Sequence, residues 1–327
     1  MNILILGGAG FLGNNLVRRC LQEPGNNIVV VDSLEPRLKS TIDNLKEVWD
    51  SIEFIQGDIR DAVLMKKVVQ GKDVIFNCAA QTSHPLSLTD PFFDVEVNCL
   101  GNLTLLEAVK KYNKQALVIY ISSSTVIGKA VGGVVNELHG ELPLEIYSAN
   151  KGVAEKYYRI YNRVYNLNTL TLRFANLYGP YGKGYPEFGF INYFISLAEK
   201  DKDITIYGEG RQNRNVMYVE DAADLLYQCI FHKRIFGDVY FAVHREHYPV
   251  RKIAEEIVSV FGKGKVVKID WPDTRRRIEI DNVIISGAKL FYEIKWEPKY
   301  TLREGLIKTK EIFESRKLKH AKRKQRL

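Results

Sequence analysis

The sequence predicts an α/β fold with a doubly wound parallel sheet. Three observations lead to this prediction: short apolar runs alternate with helix-like segments, a glycine-rich turn follows the first run, and small or polar residues follow the others. Alternation at this spacing is typical of βαβ units, in which successive strands lie parallel and helices cover both faces of the sheet. The five apolar runs are residues 2–6, 28–31, 52–55, 73–76 and 116–121.

The first run opens the unit on which the other predictions depend. Residues 2–6 lead into a turn with glycines at Gly7, Gly10 and Gly13, a helix-like segment follows, and the next run ends on Asp32. In a dinucleotide-binding fold the first glycine makes a tight turn, the second lets the backbone approach a pyrophosphate, and the third lets the helix pack on the strand. The unpaired N–H groups at the helix N-terminus favour phosphate. The pattern therefore predicts a Rossmann-type domain that binds a dinucleotide.

Asp32 indicates which dinucleotide is bound. A carboxylate about twenty residues after the turn accepts hydrogen bonds from the adenosine ribose hydroxyls, and it would repel a 2′-phosphate. Arg37 and Lys39 lie just beyond it and could pair with such a phosphate if they folded back. We therefore predict NAD, with NADP as the alternative.

The later apolar runs end in residues that suit a ligand pocket. Asp58 follows the third run, where it could meet the adenine ring. Ala79 and Ala80 follow the fourth run, and small residues let the backbone lie close to a ligand. The fifth run opens onto three serines, residues 122–124, whose hydroxyls could hold a substrate oxygen.

A tyrosine and a lysine stand four residues apart at the start of a predicted helix, residues 147–165. Residues at this spacing share one face of a helix, so Tyr147 and Lys151 point the same way. A phenol is a poor base at neutral pH, but a nearby ammonium, aided by a nicotinamide cation, favours the phenolate and lowers its pKa. The pair predicts a general base that removes a proton from a sugar hydroxyl.

Length and composition are those of a soluble globular protein: 327 residues, of which 46% are hydrophobic and 26% charged. No apolar run is long enough to span a bilayer, and no signal-peptide pattern opens the chain. The four cysteines lack metal-ligand spacing. We expect a cytoplasmic protein without a metal site.

The net charge of +8 raises the question of a nucleic-acid partner. Residues 316–327 carry seven basic side chains and no acidic one, which leaves 40 basic against 39 acidic side chains in the rest of the chain. We interpret this tail as a frayed, solvated helix end, with contact to RNA or to an anionic surface as the alternative. Nucleic acid is therefore not the expected partner.

Together these features resemble the extended short-chain dehydrogenase/reductases, and in particular the nucleotide-sugar epimerases and dehydratases. The resemblance covers nearly the whole chain. Further matching segments are residues 57–59, 79–81 with Ser87 and 90–91, Asn98 with Gly101, 122–124 with Gly128, 173–176 with 178–180, and 214–221.

The resemblance implies roles for individual residues. Tyr147 would be the catalytic base, Lys151 would bind the nicotinamide ribose, and Ser123 would be the catalytic hydroxyl residue, with Ser124 beside it. The cofactor-binding positions would be Gly7, Gly10, Phe11, Leu12, Gly13, Asp32, Asp58, Ile59, Ala79, Ala80, Gln81, Asn98, Ser122, Tyr147 and Lys151. The candidate substrate-binding residues are His84, Asn176, Arg214 and Arg276.

The reaction implied by the resemblance is NAD-dependent epimerisation of a nucleotide-diphosphate sugar through a transient keto sugar, with inversion at C4 as in UDP-glucose 4-epimerases. Dehydratases of the family carry an Asp-Glu pair directly after the catalytic hydroxyl residue. Ser124 and Thr125 occupy those positions here, which argues against 4,6-dehydration. The alternatives are a C2 epimerase of a CDP-sugar, of the CDP-tyvelose 2-epimerase type, and a nucleotide-sugar reductase or decarboxylase. A different class of alternative is a catalytically inactive NAD-sensing or RNA-binding protein.

The resemblance also predicts how the chain is organised. Residues 1–175 would form the NAD-binding Rossmann domain, with sheet contributions from later segments. Residues 176–315 would form mainly a smaller α/β lobe that binds the nucleotide sugar, and residues 316–327 the basic tail. The family pairs subunits through helices that correspond to about residues 97–112 and 150–165, so a homodimer is expected.

Overall fold

The computed structural model describes residues 1–130, 133–272, 276 and 282–324. The strands are β1 Asn2–Leu6, β2 Asn27–Asp32, β3 Glu53–Gln56, β4 Val74–Asn77, β5 Leu117–Ser123, β6 Val134–Val135, β7 Asn168–Phe174, β8 Asn176–Tyr178, β9 Ile204–Tyr207, β10 Asn213–Tyr218, β11 Val239–Ala242, β12 His247–Pro249, β13 Val266–Ile269 and β14 Ile284–Ile285. The α-helices are α1 Phe11–Leu21, α2 Ala62–Val68, α3 His84–Thr89, α4 Pro91–Val95, α5 Gly101–Tyr112, α6 Ile146–Tyr165, α7 Phe190–Glu199, α8 Val219–Cys229, α9 Val250–Phe261, the helix Ala288–Ile294 and the C-terminal helix Leu302–Lys324.

Seven of the described strands form one parallel sheet, in the order β11-β7-β5-β4-β1-β2-β3. The five apolar runs of the sequence are strands β1 to β5, so the predicted doubly wound parallel sheet is confirmed. The strand order reverses next to β1, and this is where an open parallel sheet of this kind binds its ligand.

Helices cover both faces of this sheet because successive side chains of a strand point to opposite sides. In β1, Ile3 and Ile5 pack with buried residues of α1 and α8. Leu4 and Leu6 pack on the other face with α2, α5 and α6. Strands that are apolar on both faces are typical of a parallel sheet between two helical layers.

The second half of the chain adds a smaller lobe and also returns to the large sheet. Strands β8, β10 and β12 form a sheet of their own, and β9 pairs with β13. Helices α7, α9 and the C-terminal helix enclose a separate apolar cluster with these strands. Strand β11 then joins the large sheet beside β7.

The C-terminal helix extends through most of the basic tail and reaches Lys324, while residues 325–327 lie outside the described part of the chain. Among its described side chains, Lys317 contacts the body: its ammonium lies 3.1 Å from a carboxylate oxygen of Glu199. None of the described helices is apolar over a length that could cross a membrane.

Candidate active site

A cleft of about 460 Å³ lies at the carboxyl ends of the parallel strands. Both halves of the chain line it: the turn after β1 and the serines after β5 come from the first half, and residues of β8 and β10 come from the second. A cleft of this size at the point where the strand order reverses is the expected ligand site of the fold.

The glycine turn forms one wall of the cleft and leaves no room for side chains. Gly7 has φ +74°, and a Cβ there would lie 2.7 Å from the backbone nitrogen of Ala79. A Cβ on Gly13 would lie 2.2 Å from the carbonyl oxygen of Gly7. Helix α1 begins at Phe11, which lines the cleft together with Leu12, so its first N–H groups face the ligand site. This bare cradle fits the diphosphate of a dinucleotide.

Asp32 ends β2 with its carboxylate buried beside the turn. One carboxylate oxygen accepts a hydrogen bond from the backbone N–H of Ala9 at 3.0 Å, and the other accepts one from Leu34 at 2.9 Å. Burial raises the pKa of Asp32, and these two hydrogen bonds act in the opposite direction. The bonds hold the carboxylate at the cleft wall, where ribose hydroxyls can reach it.

Arg37 and Lys39, the two cations that follow Asp32, contact other side chains. The Arg37 guanidinium pairs with Glu35 at 2.7 Å and with Asp90 at 3.2 Å. The Lys39 ammonium lies 5.9 Å from the centre of the Tyr185 ring. The geometry therefore favours NAD over NADP, because neither cation folds back to accept a 2′-phosphate.

The residues after β3 and β4 also lie where the sequence predicted. Asp58, Ile59, Ala79 and Ala80 all line the cleft. The Arg60 guanidinium bonds both carboxylate oxygens of Asp58, at 2.9 and 2.8 Å. Burial alone would raise the pKa of Asp58, but this pairing outweighs it and holds the pKa below its usual value.

Gln81 and Asn98 do not line the cleft; they support its wall from behind. Both side chains are fully buried, and both donate to Asp94, at 2.7 and 3.1 Å. Asn98 also donates to the carbonyl oxygen of Gln81 at 3.0 Å, from a π-helical turn between α4 and α5. These amides therefore fix the segment that carries Ala79 and Ala80.

Tyr147 and Lys151 lie in the first turns of α6, and both line the cleft. Only 8% of Tyr147 is exposed, and its hydroxyl is hydrogen-bonded with Ser123. The Lys151 ammonium donates to the carbonyl oxygen of Ile121 at 2.6 Å. The two side chains share one face of the helix, as their spacing predicted.

The pKa of Tyr147 moves in the opposite direction to the one predicted. Burial raises it, the hydrogen bond with Ser123 lowers it, and the negative charges of Asp94 and Glu145 raise it further. Burial also lowers the pKa of Lys151 to about 8. The prediction of a lowered phenol pKa, made for Tyr147 beside both the ammonium and a nicotinamide cation, does not hold for the polypeptide alone, because desolvation of the phenol dominates. The positive charge of an oxidised nicotinamide would favour the phenolate when NAD is bound.

The serines after β5 have different neighbours. Ser122, Ser123 and Ser124 all line the cleft. The Ser123 hydroxyl lies 2.9 Å from the Thr125 hydroxyl. It also accepts a hydrogen bond from the backbone N–H of Thr125 at 3.2 Å. The Ser122 hydroxyl donates instead to Glu155, at 2.5 Å, below the cleft surface. Ser123 is thus the serine whose hydroxyl meets the phenol.

A buried ion network lies under the serines. Arg173 on β7 pairs with Glu155 at 2.5 Å and with Glu141 at 2.6 Å. The side chains of Arg173 and Glu155 are 5% and 3% exposed. The Glu155 charge also favours the ammonium form of Lys151. The network therefore links the fifth and seventh strands to the helix that carries the tyrosine.

His84 lies at the cleft wall beside the tyrosine. Its ring centre is 4.6 Å from that of Tyr147, and the two planes are inclined by 56°. The imidazole Nδ1 is hydrogen-bonded to the carboxylate of Glu145, which leaves Nε2 as the nitrogen available to a ligand. The side chain is 38% exposed. It can therefore meet a sugar placed against the phenol.

The structure brings two of the three predicted phosphate and sugar ligands of the second half into the cleft. Asn176 and Arg214 line it, and the Asn176 amide donates to the carbonyl oxygen of Asn215 at 2.9 Å. Arg276 is exposed and is not among the described residues that line the cleft. Its neighbours Arg275 and Arg277 lie outside the described residues.

A profile of the NAD-dependent epimerase/dehydratase family matches residues 3–240, which is most of the chain. The chain belongs to this family. The putative UDP-glucose 4-epimerase of Methanocaldococcus jannaschii is 29% identical over 306 residues, with 93% of this chain and 95% of the relative covered. The CDP-paratose 2-epimerase of Salmonella typhi is 27% identical over 343 residues, with 94% and 98% covered. The solved dTDP-glucose 4,6-dehydratase of Bacillus anthracis in complex with NAD superposes with a TM-score of 0.83 and 30% identity, covering 96% of this chain and 97% of that one.

Membership of the epimerase/dehydratase family confirms the predicted enzyme class and NAD as the cofactor. The glycine cradle at the start of α1 would hold the diphosphate of NAD, and Asp32 would hold the adenosine ribose. The named relatives epimerise or dehydrate different nucleotide sugars. The reaction of this member of the epimerase/dehydratase family therefore depends on the residues of its own cleft.

Several residues that line the cleft were not predicted from the sequence. Phe93 and Val97 line the cleft from α4 and the π-helical turn. Lys183 lines it from the loop after β8. Hydrophobic periodicity identifies strands and helices, so it does not identify a cation in a loop. Among the residues described, no cluster of three potential metal ligands occurs.

Proposed function

We propose that this chain is an NAD-dependent nucleotide-sugar epimerase that inverts C4 of a UDP-hexose of the glucose/galactose type. The observation that carries the proposal is the set of side chains around the Tyr147 phenol. Tyr147 is hydrogen-bonded with Ser123, and the next two residues, Ser124 and Thr125, bear hydroxyls where the dehydratases carry an acid–base pair. Such a site supports removal and return of hydrogen at one carbon, whereas elimination of water needs a second acid and base.

Each residue near the sugar then has a definite task. Tyr147 takes the proton of the hydroxyl that is oxidised and returns it when the opposite epimer forms. Ser123 holds the same oxygen through its hydroxyl. Lys151 binds the nicotinamide ribose and keeps positive charge near the phenol. Bound NAD supplies the acceptor and donor of the hydride.

The substrate would be held from the second half of the chain. Asn176 presents its amide at the edge of the cleft, with the orientation fixed by its bond to Asn215. Arg214 stands on the next strand, β10, where its guanidinium can pair with the sugar diphosphate in bidentate fashion. A nucleotide-diphosphate sugar that extends from these residues to Tyr147 would place its diphosphate at the Arg214 guanidinium. Its sugar hydroxyls would then lie at the hydroxyl groups of Ser123 and Tyr147.

A direct test is to denature the purified protein, identify the released nucleotides by mass spectrometry, and follow UDP-glucose and UDP-galactose by proton NMR. We expect released NAD and interconversion of the two sugars without net NADH. Net formation or consumption of NADH would favour the reductase or decarboxylase alternative. Turnover confined to CDP-sugars epimeric at C2 would favour the second candidate, which the similarity to CDP-paratose 2-epimerase supports. Salt-sensitive RNA binding without any sugar turnover would favour the inactive RNA-binding class.

His84 is expected to contact the sugar. The change His84→Gln should lower kcat/KM by about 10- to 100-fold, because it removes an imidazole held by Glu145 beside the base. The measurement is steady-state epimerisation on the preferred sugar. His232→Gln is the matched control, since His232 is not among the described residues that line the cleft. Equal rates for both variants and the unaltered enzyme would show that His84 does not contribute to turnover.

We also propose a cytoplasmic homodimer that pairs through α5 and α6. Three apolar side chains of α6, Val153, Ile160 and Val164, are 36%, 49% and 63% exposed, and Leu100 nearby is 51% exposed. The spacing of the first three places them on one helical face. Light scattering coupled to size-exclusion chromatography should give twice the mass of the 37.5 kDa chain. Val164→Lys should shift the protein towards the monomer, and a monomeric unaltered protein would contradict the pairing.

A further inference from the structure

The loop after β8 reaches from the second half of the chain onto the cofactor helix α1. The carbonyl oxygen of Pro180 accepts a hydrogen bond from the Asn15 amide at 3.1 Å. The ring of Tyr181 lies under the Arg18 guanidinium, 4.2 Å from the ring centre, and its hydroxyl donates to Glu47 at 2.7 Å. These contacts fix residues 180–181 against the segment that carries the glycine turn.

The same loop is held from its other side. A Cβ on Gly182 would lie 2.3 Å from the side chain of Asn192 on α7, and the Arg316 guanidinium lies 4.4 Å from the centre of the Tyr181 ring. Tyr181 adopts φ +66°, a conformation that non-glycine residues rarely take and that surrounding contacts must enforce. The loop is therefore a fixed wall whose next residue is Lys183.

Lys183 brings a positive charge into the cleft on the cofactor side. Its ammonium lies 4.4 Å from the centre of the Phe188 ring, and the negative charge of Asp32 favours its protonation. Among the described residues no carboxylate forms an ion pair with it within 4.0 Å. Desolvation lowers the pKa of Lys183 to about 8, and Asp32 only partly offsets this. A desolvated ammonium without a close anion is costly, so an anionic ligand would stabilise it.

We propose that Lys183 binds the diphosphate of NAD, so that the second half of the chain closes over the cofactor opposite the glycine cradle. Asp32 marks the ribose of the adenosine half, and the first phosphate of the cofactor is bonded to that ribose. The N–H groups of α1 approach the diphosphate from one side, and the Lys183 ammonium approaches it from the other. The inference concerns the cofactor alone and does not depend on which sugar is turned over.

Retention of NAD by the purified protein tests this inference. Holoprotein bearing Lys183→Met is passed repeatedly through a desalting column, and NAD per subunit is measured by chromatography after denaturation. We expect the dissociation constant of NAD, measured by calorimetry on the stripped protein, to rise by about 10- to 100-fold, as for loss of one charged hydrogen bond. ADP-ribose, which keeps the diphosphate and lacks nicotinamide, should lose affinity by the same factor.

Two further variants make the outcome specific. Lys200→Met removes the same charge from an exposed position at the end of α7 and should leave NAD retention unchanged. Lys183→Arg keeps the charge and should retain NAD, which separates a lost charge from a disturbed loop. Should Lys183→Met fail to fold, Lys183→Gln provides the same measurement with a polar side chain.

Three results would overturn the proposal. NAD and ADP-ribose affinities within twofold of the unaltered protein would show that Lys183 does not contact the diphosphate. Unchanged NAD affinity with weaker binding of UDP-glucose would assign Lys183 to the sugar diphosphate. Loss of affinity for NADP but not for NAD would assign it to the 2′-phosphate. None of these results depends on epimerase turnover, so they are distinct from failure of the proposed reaction.

Discussion

Tyr147→Phe is expected to lower kcat by about a thousandfold while NAD remains bound, because loss of a general acid–base group typically costs 10²- to 10⁴-fold. The ring of Tyr147 is 8% exposed and fills the same space as phenylalanine, so the change removes only the hydroxyl that meets Ser123. Measurement is by epimerisation kinetics on the preferred nucleotide sugar, with the NAD content of each preparation determined in parallel.

The pH profile checks the role of this hydroxyl. Since the base acts as phenolate, kcat/KM should rise with pH up to the pKa of Tyr147 in the NAD-bound enzyme, and this rise should be absent in Tyr147→Phe. Tyr165→Phe is a matched control at the far end of the same helix, away from the cleft. Turnover of Tyr147→Phe within tenfold of the unaltered enzyme would refute the assignment of the base.

Arg173→Met is expected to lower the free energy of unfolding by about 3–5 kcal/mol, the range found when one partner of a buried ion pair is removed. Arg173 and Glu155 are almost fully buried, and their pairing at 2.5 Å satisfies the charge beneath Ser122. Without the guanidinium, Glu155 would remain buried without its ion-pair partner and Glu141 would lose one of its two partners. The measurement is urea denaturation of the holoprotein, followed by circular dichroism.

Two comparisons separate this effect from a general loss of a basic residue. Arg163→Met, at an exposed position of α6, should change the free energy of unfolding by no more than about 0.5 kcal/mol. Adding Glu155→Gln to Arg173→Met should recover part of the loss, because the unpaired buried carboxylate is then neutral. A loss below about 1 kcal/mol for Arg173→Met would show that the network contributes little to stability. No recovery in the double variant would show that the unpaired carboxylate of Glu155 is not the cause of the loss.

The chemistry of the first half was predictable because it depends on short segments. A parallel strand delivers the residue after it to the carboxyl edge of the sheet, so the positions of Asp32, Asp58 and Ser123 follow from the ends of apolar runs. The glycines of the first turn follow from backbone geometry that only glycine allows. The helical spacing of Tyr147 and Lys151 likewise fixes their shared face.

The second half was less predictable, because its ligand-facing residues come from loops and from a sheet assembled out of distant strands. Arg214 lines the cleft, as its motif predicts, whereas Arg276, one of three consecutive arginines, is exposed and is not among the described residues that line it. Gln81 and Asn98 were expected at the cofactor, yet both amides are used by Asp94 behind the wall. No local pattern singles out Lys183, because its place in the cleft depends on the packing of its loop on α1.

The sequence by itself determined the parallel sheet, the dinucleotide cradle and the positions of the tyrosine and lysine, since each follows from local geometry and from the polarity of the strands. Only the tertiary structure decided the electrostatics of the site: that burial raises the pKa of Tyr147, that Glu145 bonds the imidazole of His84, and that the charge of Asp32 acts on Lys183 within the same cleft. These properties depend on desolvation and on distances between segments far apart in the chain, and neither is encoded in any local pattern of residues.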